Sequence, residues 1–246
     1  MKGRTRALAR LLAVQGVWSY ERMLGIGMGY AAEPLLHDLQ SIDPGRHAEA
    51  TIRSAEFFNS HPYLAGLAVG AASRAEYDGV PGEQIRRFRT ALCGPLGALG
   101  DQVFWAGLVP GILAFALVAI ALGVGGSGLL VAVVGYNAIR LAATVWGLRT
   151  GLATGLQVGT AISASWLPRA ASRIGAPAGF LVGAALALIA AWFLVPLGSA
   201  GFGVAGITAV LGVALARWGG TKFTSLRFGL MTVGLTLLWM RFAPWP

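Results

Sequence analysis

Asn59 and His61 stand two positions apart just before Pro62, and together they offer the amide and imidazole donors and acceptors that polyol recognition uses. So placed, they serve equally well to cap a turn ahead of the proline. Glu21 and Arg22 are adjacent charges among apolar neighbours, able to pair with each other, with a partner protein or with a ligand hydroxyl, or to form an ordinary salt-bridged helix face. Asp101 follows Gly94, Pro95, Gly97 and Gly100, a run expected to interrupt helix where an apolar stretch begins. An ionisable group at such a boundary is expensive unless paired or hydrated, which makes Asp101 either a functional carboxylate or the cap of the helix that follows. Tyr136, Asn137, Arg140 and Thr144 fall within an arc of roughly 100° at helical spacing, a polar stripe that must face protein or water. No acidic residue follows Asp101, so an Arg140–Asp101 pair is the expected neutralisation.

Other chemistries are excluded by what the residues lack. The Gly25, Gly27, Gly29 run has no preceding strand and no following Lys-Ser/Thr, so it is not a phosphate loop. Gly66 and Gly70 read as close-packing positions. One cysteine, Cys93, cannot form an internal disulfide, and no Cys/His spacing resembles a zinc site. No metal and no cofactor is expected, and no convergent set of catalytic groups is visible. The basic residues, which give a net charge of +9, sit in short clusters between apolar runs rather than on an aromatic-interleaved face, which argues against nucleic acid.

The elements that must position these residues are helices in a bilayer. Hydrophobic residues make up 56% of the 246 and charged residues only 12%, with a mean hydropathy of +0.67, a composition suited to lipid rather than water. The basic start carries no small-residue cleavage signal, so a cleaved leader is not expected. All ten acidic residues lie at or before Asp101. The chain thus divides into a mixed-charge half, 1–100, and an apolar half, 101–246. The expected fold class is an all-α integral membrane protein, with about five transmembrane helices at 103–122, 127–146, 178–195, 201–216 and 224–241. Arginines and one lysine cluster before the first span, between the second and third, and around the fourth-to-fifth turn, while the other two connections are uncharged. That alternation predicts a cytoplasmic amino terminus and an external carboxyl terminus. Small residues at every fourth position, such as Gly107 and Gly111, permit close helix contact within the chain or with a partner subunit. In the first half, Met23 to Leu36 and Tyr63 to Ser73 are too short for ordinary crossing and read as interfacial or re-entrant helices. The charged stretches 38–56 and 74–89 read as water-exposed helices, with Asp43 and Pro44 as cap and first turn of the earlier one.

Four blocks resemble one family. Gln15-Gly16-Val17-Trp18-Ser19-Tyr20-Glu21-Arg22-Met23, then Glu56-Phe57-Phe58-Asn59-Ser60-His61-Pro62-Tyr63, then Gly94 to Asp101 continued by Phe104, Trp105 and Pro110, and finally Asn137, Arg140, Leu141, Trp146 and Gly147 are similar in order and spacing to enzyme IID of mannose-type sugar phosphotransferase systems. The resemblance implies a multi-pass subunit of the bacterial inner membrane that forms a sugar permease with an enzyme IIC subunit, as an oligomer of such pairs. Its cargo would be a hexose or amino sugar, and phosphoryl groups would be carried by separate cytoplasmic IIA and IIB subunits. It also implies that this chain is not itself an enzyme and that His37, His47 and His61 accept no phosphate. Gln15, Glu21, Arg22, Asn59, His61, Asp101, Asn137 and Arg140 are the residues expected on the substrate path or the partner interface. Ser19 and Leu24 replace an Asn and a Gln of the family pattern, Gln102 stands where a small residue is usual, and the 196–200 connection is short. A membrane scaffold that keeps the fold without transport is the alternative these departures allow.

Overall fold

The computed structural model describes residues 2–199 together with 201, 203, 206, 207 and 210. It divides into two compact units, Met1–Leu186 and Ala187–Pro246, and the site lies wholly in the first. Among the described residues the fold is helical, with no strand beyond two isolated bridges.

Helix α1 (Arg4–Leu12) lays Ala7 and Leu11 against α2 (Gly25–Leu36). A short α3 (Leu39–Ile42) leads into α4 (Pro44–Ser54), whose start is capped as expected: the Asp43 carboxylate accepts the Arg46 N–H at 2.9 Å, and Pro44 fills the first turn. The Gly25, Gly27, Gly29 run proves to be a packing device. A side chain at any of the three would strike Glu56, Val14 or Ala55 respectively, so the run is what lets α2 seat against its neighbours.

The centre of the unit is α5 (Ala65–Tyr77), whose residues from Ala65 to Ala71 are all buried. It crosses α8 (Gly126–Thr154) backbone to backbone. A Cβ at Gly70 would lie 2.7 Å from both the Leu148 carbonyl oxygen and the Leu152 nitrogen, and one at Gly151 would lie 2.8 Å from the Ala71 nitrogen. The apolar stretch Tyr63 to Ser73, expected to be an interfacial or re-entrant helix, is thus enclosed by protein over most of its length.

Between them, α6 (Gly82–Gly100) passes through Pro95 without a break, so the expected interruption at 94–100 does not occur. Residues Asp101–Leu108 form a wide π-helical stretch before α7 (Val109–Ala121), as happens where an i→i−4 ladder must take up an extra residue. After α8 come α9 (Val158–Ala164), α10 (Leu167–Arg173) and α11 (Gly175–Leu194). Of the small-residue stripes, Gly107 and Gly111 receive Ile174 and Ala178, an internal contact.

Two helical stretches, Gly82–Ala121 and Gly126–Leu194, contain segments long and apolar enough to cross a membrane. The first holds the expected span at 103–122 up to its last residue. The second, 69 residues long, holds those at 127–146 and, but for its last residue, 178–195, separated by α9 and α10. The span expected at 224–241 lies outside the described residues, as does that at 201–216 except at 201, 203, 206, 207 and 210.

Candidate functional site

The site grows from two backbone pairings. Ser19 and Met23 exchange N–H···O bonds of 3.3 and 2.7 Å, closing a tight turn in which Met23 takes the left-handed conformation at φ 51°. That turn then joins the second sequence block. The Leu24 N–H donates to the Phe58 carbonyl at 3.0 Å, and the Phe58 N–H to the Arg22 carbonyl at 3.3 Å. Phe58 is fully buried and anchors the strand-like segment that delivers His61.

His61 is the hub. Its side chain is 1% exposed, and its Nδ1 accepts the Tyr63 N–H at 3.3 Å, so of Asn59 and His61 it is His61 that caps the turn Pro62–Leu64. The imidazole stacks on Phe104, with centroids 4.8 Å apart and planes inclined by 20°, and it touches the rings of Tyr63 and Trp105 at 4.8 and 5.1 Å. Behind it, Gly100 leaves room that a Cβ would fill. Burial pushes the imidazole pKa down to about 4, so the ring is neutral at physiological pH. With Nδ1 accepting, the neutral ring carries its proton on Nε2, and that buried nitrogen has no hydrogen-bond partner.

Tyr63 extends the cluster to the fourth block. Its hydroxyl shares a 2.5 Å hydrogen bond with that of Tyr136 on α8, and the Arg140 guanidinium lies over its ring at 5.1 Å. Arg140 also donates from Nη2 to the Leu12 carbonyl at 2.5 Å, satisfying an orphan carbonyl at the end of α1. The expected Arg140–Asp101 pair is therefore not formed: the guanidinium is taken up by a helix terminus and an aromatic face. Asp101 lies exposed in the π stretch, where its carboxylate caps no helix.

Of the eight residues singled out by sequence, the structure brings His61 and Arg140 together, both against Tyr63. The side chains of Gln15, Glu21, Arg22, Asn59, Asp101 and Asn137 are exposed. Glu21 and Arg22 lie in a turn rather than on a salt-bridged helix face, and no ion pair engages either among the described residues. Asn137 bonds back to the Val133 carbonyl at 2.9 Å. Tyr63 and Phe104 were missed as site residues, and Tyr136 entered only as a member of the polar stripe. Each lies in or beside one of the four blocks, which was the available signal. His37 and His47 stand apart from this cluster on the charged stretches. Among the described residues no group of His, Cys, Asp and Glu could hold a metal ion.

A second buried polar cluster is structural. Arg53 and Glu76, 3% and 4% exposed, form a two-point ion pair at 2.8 and 3.2 Å, and Arg46 reaches Glu76 at 3.1 Å. Arg89, also buried, donates to the carbonyls of Arg53 and Glu56, tying α6 to the end of α4.

A family model described as the PTS system mannose/fructose/sorbose family IID component matches residues 1–199. The chain is 32% identical over 149 residues to the fructose permease IID component of Bacillus subtilis (strain 168), covering 58% of this chain and 53% of that protein. It is 28% identical over 151 residues to the mannose-specific EIID component of Escherichia coli (strain K12), covering 58% and 52%. The match spans about half the length of these relatives. A solved membrane protein superposes with a TM-score of 0.71 at 19% identity, over 97% of this chain and 96% of that one. A chain from the cryo-EM structure of the mannose transporter ManYZ with microcin E492 does so with a TM-score of 0.53 at 20% identity, over 96% and 94%. At such identities the likeness is one of fold.

Proposed function

We propose, from the premise that this chain belongs to the mannose/fructose/sorbose family of phosphotransferase-system IID components, that it forms a sugar-translocating unit with an enzyme IIC subunit and that the His61 cluster lines its substrate path. The observation that carries the second part is the unpartnered Nε2 of a buried, neutral imidazole set among the rings of Tyr63, Phe104 and Trp105. A sugar presents hydroxyl oxygens that accept a hydrogen bond and C–H faces that pack on aromatic rings, so such a cluster suits a hexose or amino sugar. The exposed Gln15, Glu21, Arg22, Asn59, Asp101 and Asn137 side chains are then free to meet the IIC subunit or the sugar.

Phosphorylation falls to cytoplasmic IIA and IIB subunits. His61 is a poor acceptor because its Nδ1 is engaged and its surroundings are apolar, and the sequence around His37 and His47 carries no set of groups suited to holding a phosphate. The five-span topology, with the amino terminus in the cytoplasm and the carboxyl terminus outside the inner membrane, leaves the charged stretches 38–56 and 74–89 to the cytosolic partners and the acid-free residues 102–246 to lipid.

The test is sugar uptake by cells expressing the chain with its IIC, IIA and IIB partners. H61F keeps the stack on Phe104 but removes the Nε2 donor, and uptake is expected to be lost with assembly intact. H37A and H47A are expected to transport normally, and the chain should take no label from phosphoenolpyruvate. Wild-type uptake by H61F would remove His61 from the path, and no uptake of any sugar by an assembled wild-type complex would favour a scaffold.

A further inference from the structure

Arg149 near the end of α8 and Arg169 and Arg173 on α10 lie between the second and third apolar runs, and among the described residues no ion pair engages them. All three side chains are exposed, and no acidic residue follows Asp101 anywhere in the sequence. Six of the earlier arginines, Arg10, Arg46, Arg53, Arg74, Arg86 and Arg87, each hold a carboxylate, and Arg89 and Arg140 bond backbone carbonyls. On α10, Trp166, Arg169 and Arg173 recur at i, i+3 and i+7 and so share one face, while Leu167 and Ala171 on the adjoining face are buried in the core. Trp166 is 41% exposed and packs on Trp146 with centroids 5.4 Å apart.

Trp146 ends the apolar run 127–146, and α8 continues for two further turns, carrying Arg149 beyond the hydrocarbon. Indole rings favour the boundary between acyl chains and headgroups, and the Trp146–Trp166 contact places two of them beside α10.

We propose that the Trp166, Arg169, Arg173 face, with Arg149, is a binding site for an anionic phospholipid headgroup of the cytoplasmic leaflet. Guanidinium groups bond phosphate oxygens with paired donors, the indoles sit against the glycerol and upper acyl chain, and among the described residues no carboxylate pairs with these arginines. The site rests on the membrane-crossing reading and is independent of the sugar path.

The experiment is native mass spectrometry of the full-length protein in detergent, with phosphatidylglycerol and phosphatidylcholine added in equal amounts. Wild type is expected to retain phosphatidylglycerol preferentially. R169Q/R173Q is expected to lose roughly five-fold of that preference per arginine, roughly 25-fold in all, while R169K/R173K keeps most of it. Equal retention of both lipids by wild type would overturn the proposal, as would undiminished preference in a folded R169Q/R173Q. Displacement of the lipid by millimolar inorganic phosphate would also overturn it, by making this a site for free phosphate. A protein that stayed in solution without detergent would instead remove the membrane reading beneath it.

Discussion

The imidazole of His61 lies flat on the ring of Phe104, 4.8 Å between centroids and 20° between planes, and Gly100 is the residue that makes this possible. His61 arrives on the connection before α5, and Phe104 sits on the π stretch one turn beyond Gly100. The stack therefore pins the entry of the central helix to the start of an apolar crossing.

G100A should break that arrangement. Its Cβ would land on the Cβ of His61, a core overpacking with an expected loss of about 1–3 kcal/mol. G97A is the control, because the nearest atom to its Cβ is 4.0 Å away. Thermal unfolding in detergent should show a lowered midpoint for G100A and none for G97A.

Acid should loosen the same site. The folded pKa of His61 is about 4 against an ordinary 6.5, so between those values the unfolded chain binds the proton and the folded chain does not. The stability contributed by the neutral ring is thus complete above about pH 6.5 and is lost as pH falls through about 4. Measured from pH 7.5 down to 4, wild type should lose stability relative to H61F. A constant difference between the two would contradict the assignment.

The α5–α8 crossing predicts a contrast between neighbouring glycines. G151A places its methyl against backbone atoms of Leu67 and Ala71, which no side-chain rotation relieves, and the folded yield should fall sharply. G147A meets nothing nearer than 3.4 Å and should fold normally. Size-exclusion profiles of the two variants check this.

E76Q should be among the most damaging single changes. It leaves Arg53, 3% exposed, as a charge without its main partner, an effect of about 3–5 kcal/mol. R53M/E76L removes both charges and should recover much of the loss. If the double variant is no more stable than E76Q, the pair is not what holds α4 to α5.

Y136F tests the link between blocks. It leaves the Tyr63 hydroxyl without its 2.5 Å partner, an expected loss of about 1 kcal/mol, and Y63F/Y136F should lose less than the sum of the singles. The unfolding midpoints of all four proteins close that cycle.

The sequence by itself determined the helical class, the apolar runs that became α7, α8 and α11, and the cap at Asp43. These follow from residue type and spacing along one helix, and local rules suffice for them. The four blocks were legible too, and they held Tyr63 and Phe104 without assigning them a role, while Tyr136 stood in the polar stripe beside the fourth. Only the tertiary structure decided which charges meet. Arg140 found the Leu12 carbonyl and the Tyr63 ring instead of Asp101, because a guanidinium at that place needs only acceptors and a π face within reach, and contacts between residues 128 positions apart leave no trace in local pattern. Pro95 likewise sits inside the continuous helix α6, an outcome that the local rule for proline does not give.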